Sequence, residues 1–270
     1  MRLKQWDRVR YTKNPLVEVV AQVRFPRVLE IDDQLPSDFQ RALRQDYPLL
    51  EVQEETLAVM IGQGPNKMMA DDLPRRTTVY HFIAPDRVWR ISLASEFLAL
   101  TCTNYEKWED FRPRMMVGLE TVAKLYPIIY WTRLGLRYRD LINRENIGLT
   151  NVSWRELLAP FLLGATIADP LIEDDSIPET DVLAAQSYVS FQLEDCVLGL
   201  RHGIVRKEQN GDSSAYQIDA DFYLDNQIAR FDLDAIKRHL DRFHANAGAV
   251  FRGCIQERLH DALDPQPISS

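Results

Sequence analysis

Three short runs rich in β-branched and aromatic residues, TTVYHFIA (77–84), RVWRISLA (87–94) and EFLALTCT (96–103), follow one another with only a turn between them. A parallel pair needs a crossover of roughly a dozen residues or more, and there is no room for one here. The three runs must therefore pair antiparallel, with Pro85-Asp86 as the first turn. A meander of this kind confines the chain to folds built on an antiparallel sheet.

The flanking segments supply more strands and the helices that cover them. LVEVVAQVRF (16–25) is mostly apolar and β-branched, the composition of a well-buried strand. In LPSDFQRALRQDYP, Phe39, Leu43 and Tyr47 recur at helical spacing and Pro48 ends the run. Thr103 and Glu106 have capping-box spacing, which predicts a helix start there. Trp108, Phe111, Met115, Leu119, Val122 and Leu125 then line one helical face, and Pro127 stops it. The strand IIYWTRLGLRYRDLI follows, so the first half reads β-α-β-β-β-α-β.

After a short helix in WRELLAPFLL comes a run with six acidic residues between Asp169 and Asp181 and no basic one, read as a solvated excursion. VSFQLEDCVLGLRHGIVRK and SAYQIDADFYLD flank Gln209-Asn210-Gly211, a three-residue hairpin loop with Gly211 in the left-handed position. That loop sets Leu198 opposite Phe222, Leu200 opposite Ala220, Ile204 opposite Tyr216 and Arg201 opposite Asp219. Asp232 is the expected N-cap of a last helix with the stripe Ile236, Leu240, Phe243, Ala247, Val250, Cys254 and Leu259, which Gly248 and Gly253 are placed to bend or interrupt. The fold class is α+β, with antiparallel sheets covered by helices in two lobes. Residues 1–150 form an N-terminal α+β lobe, and residues 151–270 a C-terminal α+β lobe ending in a long helix. LGLR occurs at Leu134–Arg137 and again at Leu198–Arg201, so a diverged duplication stands beside chance identity as its origin.

Bulk chemistry narrows the partners. With 46% hydrophobic and 27% charged residues the composition is that of a soluble globular protein. The net charge of -8 disfavours nucleic acid in general, although a local basic groove is compatible with it. No window approaches the roughly 18 uninterrupted apolar residues of a membrane span, so no membrane is expected. The N-terminus lacks the apolar core of a signal peptide, which makes the cytoplasm the expected location. Cys102, Cys196 and Cys254 lie far apart in apolar contexts and read as buried free thiols. The loop from Gly62 to Lys67 lacks the P-loop ending and the dinucleotide glycine pattern, and no cofactor is expected.

The candidate site residues are these. Arg133, Arg137 and Arg139 share a parity, so an extended strand lines them on one face, where Arg24 from the first strand can join them. Forked guanidiniums suit phosphate or carboxylate ligands. The competing reading pairs them with the chain's own Glu18, Glu96, Asp140 or helix carboxylates, or leaves them solvated; the expected contact is between Arg137 and a carboxylate of the chain, Glu18 has the parity to meet one of these arginines, and Arg133 and Arg139 are left as a positive patch. Asp219 and Asp221 form a D-x-D pair, an alternative metal site that also fits any half-exposed strand. Trp6, Met68 and Met69 are candidates for a partner surface, because Trp and Met are enriched in interfaces. The five histidines form no metal or catalytic spacing, and no catalytic residue is assigned.

Asn14-Pro15-Leu16-Val17-Glu18-Val19 leading into Val23-Arg24-Phe25, the central Gly135-Leu136-Arg137-Tyr138, and Phe243-His244 with Phe251 together resemble a sporadically distributed family of uncharacterised bacterial proteins of about this length. Members often follow the central motif with Asn-Arg, which here is Asn143-Arg144, four residues further on. The resemblance implies a cytoplasmic bacterial protein and no transferable activity, and a scattered distribution fits mobile or defence-associated genes. The expectation is a non-enzymatic binding or assembly module whose partner is another protein or a second copy of itself. The alternative is a nucleic-acid- or nucleotide-acting protein that uses the Arg face.

Overall fold

The structure is a computed structural model that describes residues 1–57, 75–164, 182, 184–206 and 214–267. Met68, Met69, the acidic run 169–181 and the hairpin loop at Gln209-Asn210-Gly211 lie outside the described residues.

In chain order the first elements are β1 (Val9–Tyr11), β2 (Leu16–Arg24), α1 (Leu29–Asp33), α2 (Ser37–Leu43) and β3 (Leu49–Leu57). The expected meander follows as β4 (Arg75–Ile83), β5 (Trp89–Ala94) and β6 (Phe97–Cys102), then α3 (Trp108–Leu125), β7 (Tyr130–Trp131) and β8 (Arg133–Asn143). Next come α4 (Trp154–Leu157), α5 (Pro160–Leu163), β9 (Ala185–Gln192), β10 (Val197–Arg206) and β11 (Ser214–Leu224). The chain closes with β12 (Ala229–Arg230), α6 (Leu233–Cys254), α7 (Glu257–Ala262) and β13 (Pro265–Pro267). The fold is α+β. The expected separate sheets are one nine-stranded antiparallel sheet, ordered β3-β4-β5-β6-β2-β8-β11-β10-β9.

The chain divides into two compact units, but not at residue 150. One unit is Met1–Val19, Gly135–Leu224 and Arg238–Ser270; the other is Val20–Leu134 and Asp225–Lys237. The division cuts through β2 and β8, because a strand's partners belong to whichever meander returns beside it. One order of elements occurs twice: a long strand, two short helices, a meander whose last strand neighbours the long one, and a long helix. The LGLR echo does not mark this repetition. Its copies lie in β8, which opens the second round, and in β10, which is inside the second meander.

In the unit of Val20–Leu134, α3 buries Trp108, Phe111, Met115, Leu119 and Val122 as its periodicity requires. Gly118 lets this helix approach the sheet, since a Cβ there would stand 3.2 Å from Leu98 Cδ2. The capping box is not formed. The helix begins at Trp108 after Lys107 with no side-chain cap, because the Thr103 N–H bonds the Val88 carbonyl at 3.1 Å and so extends the strand pairing instead. Strand β3 was missing from the expected order. Its Glu51 and Glu54 break the apolar alternation, and its Leu49, Leu50 and Val52 are exposed at the end of the sheet.

In the other unit the β10–β11 register is as the hairpin loop requires, with Leu198↔Phe222, Leu200↔Ala220, Arg201↔Asp219 and Ile204↔Tyr216. In the segment Asp225–Lys237, which belongs to the unit of Val20–Leu134, Asp232 Oδ1 accepts the Ala235 N–H at 3.0 Å, the expected cap of α6. Ile236, Leu240, Phe243, Ala247, Val250 and Cys254 are all buried. Neither Gly248 nor Gly253 interrupts α6, which runs on to Cys254, and Leu259 belongs to the separate helix α7.

Candidate functional site

Strand β8 has two chemically opposite faces. Leu134, Leu136, Tyr138, Asp140 and Ile142 are buried on one parity, while Arg137 and Arg139 lie half-buried on the other. Arg137 closes on Asp219 as a bidentate fork, with Nε donating to Oδ1 at 2.7 Å and Nη2 donating to Oδ2 at 2.6 Å. This hydrogen-bonded carboxylate holds the Arg137 pKa above the usual guanidinium value against partial burial. Arg139 Nε donates to Glu18 Oε1 at 3.3 Å. The expected contact of Arg137 with a carboxylate forms with Asp219, and Glu18 meets one of the arginines of this face, Arg139. Arg139 is therefore not part of a free positive patch.

The same geometry bears on two other readings. Asp219 lies opposite Arg201 in the ladder, but its carboxylate turns to Arg137, and the Arg201 guanidinium lies 5.8 Å from the centre of the Tyr188 ring. In the D-x-D pair Asp219/Asp221, both Asp219 oxygens accept hydrogen bonds from Arg137, so this carboxylate is engaged within the chain.

Arg24 and Arg133 belong to the other unit. Arg24 keeps much of its surface in water. Its pKa is lowered by partial burial and then by the charge of Arg133, opposed by Asp225 and Glu96. Trp6 is half-buried rather than exposed. It lies between two cations of its own chain, Lys4 Nζ at 3.9 Å and the Arg252 guanidinium at 4.4 Å from the ring centre.

The inner face of β8 carries a group that the sequence reading placed among the arginine partners. Asp140 falls on the apolar parity, only 7% exposed. Burial, with a smaller push from the charge of Asp219, raises its pKa to about 8. Among the described residues no side-chain hydrogen bond reaches it. Parity alone was a sufficient signal, since a carboxylate in register with Leu134, Leu136 and Ile142 cannot share a face with Arg137.

Other titratable groups surround this position. The Cys254 thiol is pushed up to about 12 by burial and by Asp140. Tyr11 is also raised to about 12, chiefly by burial, and its hydroxyl lies 2.8 Å from His260 Nδ1. Tyr138 OH is 2.9 Å from His244 Nδ1, and Arg8 Nη2 is 3.1 Å from His244 Nε2. A guanidinium only donates, so Nε2 accepts and the neutral His244 ring carries its proton on Nδ1, facing Tyr138. A carboxyl kept neutral at pH 7 is a proton store, and perturbed groups of this kind mark candidate sites.

Among the described residues one trio could hold a metal: Glu257, His260 and Asp261 bring ligand atoms within 4.8 Å of one another. Glu257 is already bound by Arg252, and His260 by Tyr11. His81 makes a contact of catalytic type, with Ser92 Oγ 2.8 Å from Nδ1 and Gln53 Oε1 3.3 Å from Nε2. His81 and Ser92 are each 5% exposed, so the serine has no substrate access and the pair reads as satisfied core. Two open clefts, of about 550 and 730 Å³, lie in the unit of Val20–Leu134, and neither is lined by Ser, Cys or His. Among the described residues no helix is long and apolar enough to cross a membrane. Compared with protein-family profiles, curated proteins and solved structures, the chain matches none of them.

Proposed function

We propose that this protein is a non-enzymatic binding and assembly module of the bacterial cytoplasm, whose partner is another protein or a second copy of itself. The observation that carries this reading is the closure of Arg137 by Asp219 and of Arg139 by Glu18. A phosphate-gripping face needs free guanidiniums, and here two of the three arginines of β8 are neutralised from within the chain. The net charge of -8 works in the same direction.

A nucleic-acid- or nucleotide-acting protein is the second reading, favoured by Arg24 beside Arg133. The test is binding and turnover of single-stranded and duplex oligonucleotides and of nucleoside triphosphates at low and physiological salt. The expected outcome is no turnover and no salt-sensitive binding. Tight binding that falls steeply with salt and is lost in an Arg24→Glu, Arg133→Glu double variant overturns the assembly reading.

A further inference from the structure

We infer that β9 is the edge through which two copies of this chain pair, antiparallel about a two-fold axis, so that the sheet continues from one copy into the next. The inference rests on the assembly reading above and names its surface. Strand β9 pairs with β10 on one side, from Ala185↔Ile204 to Gln192↔Val197, and stands last in the strand order. Among the described residues no strand covers its other side. The Gln192 carbonyl accepts the Met1 amino group at 3.3 Å, which leaves Ala185–Phe191 as the length left open among the described residues. Gln186 to Ser190 are all exposed, with Tyr188 at 42% and Val189 at 41%.

An open strand edge invites another strand, and soluble proteins commonly blunt it with charge, proline or a bulge. AQSYVSFQ has no charged residue and no proline. The strand at the opposite end of the order, β3, does carry such protection in the exposed Glu51 and Glu54. Glycines also let β9 lie close against β10. A Cβ on Gly203, at φ 157°, would stand 1.8 Å from the Ala185 carbonyl oxygen, and one on Gly199 would stand 3.0 Å from the Tyr188 hydroxyl.

The absence of charge along β9 fits a second copy as the occupant. An isologous pair sets a strand against itself, which brings like charges together in a charged strand and none in this one. A two-fold axis normal to the sheet keeps each face on its own side. Val189 then lies opposite its own symmetry mate, or Tyr188 does, and the outward-facing backbone groups of both strands are paired. A charged peptide finds no counter-charge in β9 to recognise.

Sedimentation velocity of the full chain over a concentration series tests this, with Val189→Lys and, as a matched control on the other edge, Val52→Lys. Val52 is 53% exposed, so both substitutions fall on open strand surface, and a melting curve checks that each variant folds. The expected result is a concentration-dependent dimer that becomes monomeric in Val189→Lys and persists in Val52→Lys. An oligomer that survives Val189→Lys overturns the β9 interface and leaves the assembly reading standing. A wild-type chain that stays monomeric into the millimolar range overturns the inference. Salt-sensitive oligonucleotide binding, measured separately, strikes the assembly reading itself.

Discussion

Asp219 and Asp140 are nearly equally withdrawn from water, at 4% and 7% exposure, on strands that neighbour one another in the sheet. Their chemistry diverges because they stand on opposite faces. Asp219 meets a guanidinium fork whose two N–H groups match its two oxygens. Asp140 stands on the apolar face, close enough for its charge to act on Cys254 and Tyr11, with no cation forked onto it among the described residues, and its pKa is pushed up to about 8. A buried carboxylate stays charged when a cation is fixed against it and otherwise takes up a proton. The outer face is therefore held by ion pairs, and the inner face by packing around a neutral acid.

The pH dependence of stability separates these two regimes most strongly. An Asp in an unfolded chain titrates at about 3.9, whereas Asp140 in the fold titrates at about 8. Between those values the folded state holds the extra proton. Its contribution is fully present below about pH 4 and is lost as pH rises to about 8, at up to about 1.4 kcal/mol per pH unit. Urea unfolding of the wild type should show this decline, and Asp140→Asn should flatten it by several kcal/mol over the window. Identical pH profiles for the two proteins would mean that Asp140 is not the neutral acid.

Breaking the paired carboxylate comes next in size. Arg137→Ala strands Asp219 in its buried position, and losing one partner of a buried pair costs about 3–5 kcal/mol. The Arg137 side chain is 40% exposed, so water reaches the site and the expected loss is about 2–4 kcal/mol. Adding Asp219→Asn to Arg137→Ala should recover part of that loss in denaturant unfolding, because the stranded charge is then removed. A double variant no more stable than the single one would show that the cost lies elsewhere.

The smallest effect belongs to the outer pair that remains wet. Arg139 and Glu18 are 34% and 21% exposed and 3.3 Å apart, and pairs of this kind are worth about 0–1 kcal/mol. Glu18→Gln should therefore change the unfolding midpoint little, and that little should shrink with added salt. A loss as large as that of Arg137→Ala would place Glu18 on the Asp219 side of the comparison.

What the sequence determined by itself is short in range. The meander of β4 to β6, the register of β10 on β11, the Asp232 cap and the buried stripe of α6 all follow from side-chain periodicity and turn chemistry within a few residues. Parity separated the arginine face of β8 from its leucine face; the same parity puts Asp140 with the leucines, although Asp140 was expected among the arginine partners. Tertiary structure decided which carboxylate meets which arginine, since Arg137 and Asp219 are 82 residues apart. It decided that Thr103 continues a strand instead of capping a helix, that Glu-bearing β3 is a strand at all, and that both meanders join one sheet. Each of these depends on which distant strand arrives alongside. That is settled by burial and hydrogen bonding across long loops, whose closure entropy grows too slowly with length to favour one pairing over another from sequence spacing alone.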